Sequence, residues 1–182
     1  VRTGPDWDPD PEKEHVAVLL HHTGEHKEAG LQAIEGLGLI FGHEVTRMGE
    51  LAGLGELGLV HVGIHAFRGS ESDLTDIAPL KTLTSLRALD LTWCKALTDI
   101  APLKDLTNLQ TLDLSGCEAL TDIAPLKDLT NLQTLHLSWC KALTDISSLK
   151  DLKSLKTLGL RYLETLTDIA PLKGLTSLET LD

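Results

Sequence analysis

The sequence predicts a solenoid of the α/β class. Stacked coils form a parallel β-sheet on a concave face, with short helical or 3₁₀ turns on the convex side and a β-α-β-α-β cap at the N-terminal end. Three observations carry this expectation. The run from Leu97 to Ala119 begins again at Leu120, and its 23-residue period aligns Ile77, Ile100, Ile123, Ile146 and Ile169 in one column and Leu89, Leu112, Leu135, Leu158 and Leu181 in another. Each coil spaces its apolar residues as L-x-x-L-x-L-x-x-C, with Cys94, Cys117 and Cys140 in a third column. In Thr111-Leu-Asp-Leu-Ser115 leucines alternate with polar residues, the pattern of a strand with one buried face. One coil cannot bury those leucines alone, so each is stabilised mainly by its neighbours.

Residues 1–13 set Gly4, Pro5, Pro9 and Pro11 among Asp6, Asp8, Asp10 and Glu12, a mix with little to bury, and read as a disordered acidic tail or linker. Residues 14–72 read as an N-terminal cap. Val16–Leu20 suits a buried strand, Glu25–Glu35 carries Ala29, Ala33 and Ile34 at helical spacing, and Leu37–Phe41 is strand-like. A glycine-diluted helix follows over Glu44–Leu57, and Val60, Val62, Ile64 and Ala66 then alternate with His61, Gly63 and His65. Strands recurring at this interval are expected to continue the same parallel sheet. A rival division treats Leu31, Ile34, Leu37, Leu39 and Leu51, Leu54, Leu57, Leu59 as two degenerate repeats of the same solenoid.

Gly69–Asp73 is turn-like, and the regular coils occupy residues 73–182. Asp99 precedes Ile-Ala-Pro, where a carboxylate can accept from orphan N–H groups and a proline sacrifices no needed donor, so a short helical or 3₁₀ turn begins there. By strand alternation Thr111, Asp113 and Ser115 point away from the core and line the concave face. The cysteine column takes buried thiols as small hydrophobes and weak donors, and Leu163 interrupts it without changing the period. Leu175, Leu178 and Leu181 have no polar cap after them, from which a fragment, or an end covered by a partner or a second copy, is expected.

The run Leu97-Thr-Asp-Ile-Ala-Pro-Leu-Lys-Asp-Leu-Thr-Asn-Leu-Gln-Thr-Leu-Asp-Leu-Ser115 resembles bacterial leucine-rich repeats of the internalin type. Leu-Ser-Gly-Cys at 114–117 and Leu-Ser-Trp-Cys at 137–140 also resemble the repeats of plant nucleotide-binding immune receptors. The resemblance covers about residues 74–182 and implies binding of proteins, peptides or other ligands on the concave face, while fold analogy does not choose the ligand.

Net charge is −11, with 13 acids against 5 bases in residues 1–73 and 14 against 11 in residues 74–182. No basic stripe suits nucleic acid, and the acidic balance opposes an anionic membrane surface. No apolar run reaches the roughly 18 residues of a membrane span, and no leader precedes a cleavage site, although a chain beginning at Val1 is expected to lack its natural start. Three cysteines in one structural column suit a reducing, cytoplasmic compartment, with a secreted or surface-exposed location as the alternative.

Seven of the eight histidines lie before residue 66, but His22 and His26 straddle Thr-Gly and His61 and His65 share a strand, so no metal site is assigned. The Thr-Gly-Glu after the first strand lacks G-x-G-x-x-G and G-K-[ST], no Ser-His-Asp or Cys-His set can be assembled, and no cofactor or catalytic residue is expected. The concave columns are more informative. One runs Asp90, Asp113, His136, Gly159, Asp182, the next Thr92, Ser115, Ser138, Arg161, and the one before cysteine Trp93, Gly116, Trp139, Tyr162. Large aromatics where Gly116 also serves are interface anchors, or rings that shield the sheet edge on Lys95 and Lys141.

Asp113, His136, Trp139, Arg161, Tyr162 and Trp93 are therefore the candidate partner-binding residues, with an acidic protein or peptide as the partner. The expected function is non-catalytic recognition, within a larger signalling, immune-type or effector protein. The alternatives are the substrate receptor of an enzyme whose catalytic domain is absent or lies within residues 14–72, and a structural solenoid that self-associates through its uncapped C-terminal end.

Overall fold

A computed structural model describes residues 74–182 throughout and, before them, the backbone of two strands, Val16–His22 and Leu59–Ala66. These are β1 and β2. The coils add β3 (Ala88–Asp90), β4 (Thr111–Asp113), β5 (Thr134–His136), β6 (Thr157–Gly159) and β7 (Thr180–Leu181). All seven lie in one sheet in chain order, parallel from β2 to β7. The register follows the 23-residue period: Leu112 pairs with Leu89 and Leu135, and Asp113 with Asp90 and His136.

β2 joins the sheet as its alternation predicts, with Val62 opposite Leu89 and His61 and Gly63 opposite Ala88 and Asp90. The expectation that the cap's first strand also runs parallel is corrected, because β1 pairs antiparallel with β2, Val16 opposite Ala66 and Leu20 opposite Val62. An antiparallel edge strand on an otherwise parallel sheet is common, and an apolar run such as Val16–Leu20 reports that a strand is buried, not which way it runs. The tail over 1–13, the helices over 25–35 and 44–57, the strand over 37–41 and the turn over 69–73 lie outside the described residues.

The rest of each coil follows a different period. Ile100, Leu103, Leu106 and Leu109 are spaced by three, and each of the three leucines donates its N–H to the carbonyl three residues back: Leu103 to Ile100 at 2.9 Å, Leu106 to Leu103 at 3.0 Å, Leu109 to Leu106 at 2.9 Å. Three residues per turn keep these side chains stacked on one side, where an α-helix at 3.6 would rotate them outward. The convex side is accordingly a row of 3₁₀ turns at Ala78–Thr82, Ala101–Leu103, Ala124–Leu126, Ser147–Asp151 and Ala170–Gly174. Proline stands in the first turn of four of them. The carboxylate of Asp99 accepts from the Ala101 N–H at 2.8 Å, and Asp76, Asp122, Asp145 and Asp168 repeat the contact in their own coils.

The leucine, isoleucine and cysteine columns form one core. The isoleucines show that burial comes from the neighbouring coil: Ile77, Ile100, Ile123 and Ile146 are each 1% exposed, whereas Ile169, with no described coil beyond it, is 59% exposed. At roughly 25 cal/mol per Å² of apolar surface removed from water, each enclosed leucine contributes about 1.5–3 kcal/mol. Polar ladders accompany the core. The side-chain amides of Asn108 and Asn131 donate to the carbonyls of Thr84 and Thr107 in the preceding coil, at 2.9 and 2.8 Å. The Cys117 thiol donates to the Leu91 carbonyl at 3.3 Å.

Candidate functional site

The parallel hydrogen bonding does not stop where the strands end. Leu91, Trp93, Leu114, Gly116, Leu137 and Trp139 donate their N–H groups to carbonyls of the following coil, so the turn leaving the concave face is as ordered as the sheet. At that turn the chain is left-handed in every coil from 93 to 162: φ is +62° at Trp93, +78° at Gly116, +66° at Trp139 and +61° at Tyr162. Glycine takes this conformation freely, while for other residues it costs roughly 1–2 kcal/mol. The column read from sequence as aromatic residues tolerating one glycine is thus a glycine-type position that holds three aromatic residues under strain.

Those rings touch one another. Trp139 and Tyr162 stack with centroids 3.9 Å apart and 24° between planes, and Trp93 lies 6.4 Å from Trp139 at 43°. Such pairs return about 0.5–1.5 kcal/mol each, which offsets part of the backbone strain. The ammonium of Lys141 sits over the Trp139 ring, 5.9 Å from its centroid, and bonds Glu118 at 3.1 Å. The reading of the aromatics as rings packed on lysine is met at Trp139, which lies under Lys141, and Tyr162 leaves 56% of its surface in solvent.

The strand side of the site is built by the neighbouring columns. Asp113 and His136 are register partners on β4 and β5. The Asp113 carboxylate accepts the Ser115 N–H at 2.8 Å, as Asp90 accepts the Thr92 N–H at 2.9 Å, so these acids also hold their own turns. His136 takes the room left by Gly159 on β6, where an added Cβ would lie 2.8 Å from its Nδ1. Ser138 Oγ accepts the Arg161 N–H at 3.2 Å, and the Arg161 guanidinium pairs with Asp182. The Arg161 guanidinium, expected to meet an acidic partner, is thus already engaged with a carboxylate.

The six candidate residues thus lie on three concave columns: Trp93, Trp139 and Tyr162 form a ring ladder, while Asp113 and His136 share a register position on β4 and β5 and Arg161 stands in the next column of the following coil. Sequence reasoning missed Gly116, Gly159 and Asp182 as members. The glycine in an otherwise aromatic column was the available signal for a left-handed turn.

The cysteines lie inside this edge. Cys94, Cys117 and Cys140 are buried free thiols, and Cys140 donates to the Leu114 carbonyl at 3.1 Å. Burial pushes the Cys117 thiol far above its ordinary range and that of Cys140 up to about 12. No group of three or more metal-ligating side chains occurs among the described residues, and no helix there is long and apolar enough to cross a membrane. On the convex side an open groove is lined by Lys104, Lys127, Asp105, Asp122 and Asp128, charges of both signs.

The family model described as plant disease resistance protein RPS2-like, leucine-rich repeats, matches residues 61–182. Among solved structures, the internalin InlF of Listeria monocytogenes is similar over 85% of this chain and 40% of its own, at 28% identity and a TM-score of 0.61. Internalin C2 of the same bacterium is similar over 74% of this chain and 54% of its own, at 31% identity and a TM-score of 0.58. The chain therefore spans about half or less of each internalin structure. No curated protein matches it in sequence. Leucine-rich repeat relatives of this kind indicate a module for ligand recognition or protein–protein interaction. The in-register parallel coils agree with a match over the greater part of the sequence: the chain belongs to the leucine-rich repeat family.

Proposed function

We propose that the chain is the recognition part of a larger signalling, immune-type or effector protein, and that it binds a protein or peptide at the edge of the concave face formed by Trp93, Trp139, Tyr162, Arg161, His136 and Asp113. The observation that carries the reading is the backbone at the aromatic column. A turn that glycine satisfies without strain holds three large rings instead, Trp139 and Tyr162 stacked and Trp93 tilted beside them, with the outermost member largely exposed. Strained residues that persist where a relaxed choice exists cluster at binding sites, and rigid aromatics with a guanidinium beside them are frequent interface anchors.

Charge plays the smaller part in this reading. Arg161 is paired with Asp182 and Lys141 with Glu118, so an acidic group on a partner competes with carboxylates already in place. The rings select the partner, and the paired charges orient it. Panning a displayed library of random peptides against the chain tests this. Selected peptides are expected to carry apolar or aromatic anchors and to lose binding to the Trp139→Gly, Tyr162→Gly double variant. Peptides that bind the double variant as well as the wild type would put the partner elsewhere.

A further inference from the structure

Trp93 and Trp139 belong to coils two apart, and sheet spacing would separate their backbones by roughly 9–10 Å. Their rings nevertheless lie 6.4 Å apart. The position between them is Gly116, and a Cβ built there would lie 2.7 Å from Cδ2 and 2.9 Å from Cζ3 of Trp93, with Cε3 closer still. The indole of Trp93 therefore lies across the bare backbone of the next coil. Gly116 is buried.

We infer that Gly116 is a positioning residue for partner binding: by lacking a side chain it lets Trp93 cross one coil and join Trp139 and Tyr162 in a single recognition surface. The inference rests on the concave-edge site proposed above. It differs from the ordinary role of glycine in a left-handed turn, because it assigns the position to the placement of a ring two coils long. An L-residue that tolerates the turn would still break the ladder. Asparagine is such a residue, since its side chain makes the left-handed conformation accessible.

The test compares Gly116→Asn, Trp93→Gly and the double variant Trp93→Gly, Gly116→Asn, using circular dichroism of the coupled indoles and the affinity of a library peptide selected on the wild-type chain. Gly116→Asn is expected to lose the indole couplet and to bind the peptide about tenfold more weakly, as Trp93→Gly does, with no further loss in the double variant. If Gly116→Asn fails to fold, the double variant is expected to fold, because the obstructing ring is gone. Retention of the couplet in Gly116→Asn, or misfolding of the double variant as well, would overturn the inference. Unchanged peptide binding in the Trp139→Gly, Tyr162→Gly variant, with the couplet present in the wild-type chain, would instead refute the proposed site.

Discussion

The thiol of Cys140 donates to the carbonyl of Leu114 in the preceding coil at 3.1 Å, and Cys117 meets Leu91 in the same way at 3.3 Å. Each cysteine thus ties its turn to the coil before it from inside the core. A thiolate cannot make that donation, and burial opposes its formation.

The first prediction follows from the sign of that shift. An unfolded thiol ionises near pH 8.5, whereas Cys140 in the folded chain holds its proton to about 12. Above about pH 8.5 the unfolded state binds fewer protons, so stability is complete below that pH and declines as pH rises toward 12. The slope is up to about 1.4 kcal/mol per pH unit for each such thiol. Urea unfolding of the wild type and of Cys140→Ala between pH 8 and 11, chosen as roughly the range set by these values, checks it, with a shallower decline expected in the variant. Thiol reagent at neutral pH is expected to label the native chain slowly and the denatured chain at once.

Core and concave columns should differ sharply in stability. Leu135 is fully enclosed, and Leu135→Ala is expected to cost about 2–5 kcal/mol. Thr134 beside it faces outward and is half-buried, and Thr134→Ala is expected to cost less than about 1 kcal/mol. Equal losses in urea would contradict the assignment of the two columns.

Ser148 stands where Pro79, Pro102, Pro125 and Pro171 stand in the other coils, and its hydroxyl is buried without a partner. Ser148→Pro removes an unsatisfied polar group and restricts the unfolded chain at a position whose backbone accepts proline in every other coil. A gain of about 1 kcal/mol is expected, read as a higher urea midpoint with an unchanged slope.

The left-handed turn gives a comparison that contacts alone would miss. Trp139→Ala removes the ring and keeps the strain, while Trp139→Gly removes both. The glycine variant is expected to be the more stable of the two by about 1 kcal/mol, opposite to their order in an ordinary extended or helical position.

The stacked coils were legible from sequence because a fixed period places the same residue in the same environment each time, as Ile77 to Ile146 show by identical burial. The direction of β1 was not, since a continuous apolar run such as Val16–Leu20 is the same for either polarity. The candidate site was legible as columns and not as contacts. The Asp113 carboxylate accepts its own Ser115 N–H and Arg161 pairs with Asp182 one column across in the next coil, contacts that the column pattern alone does not show. The strain at Trp93, Trp139 and Tyr162 depends on backbone angle, to which only the shared column with Gly116 pointed.

The most direct measurement replaces two site residues by those that other coils carry in the same columns, Trp139→Gly and Arg161→Ser, and titrates the double variant with a library-selected peptide. Calorimetric binding is expected to disappear while the melting temperature stays within a few degrees of the wild type, because Gly116 and Ser138 already fill these columns in folded coils. Wild-type affinity in a folded double variant would contradict a partner site at the concave edge.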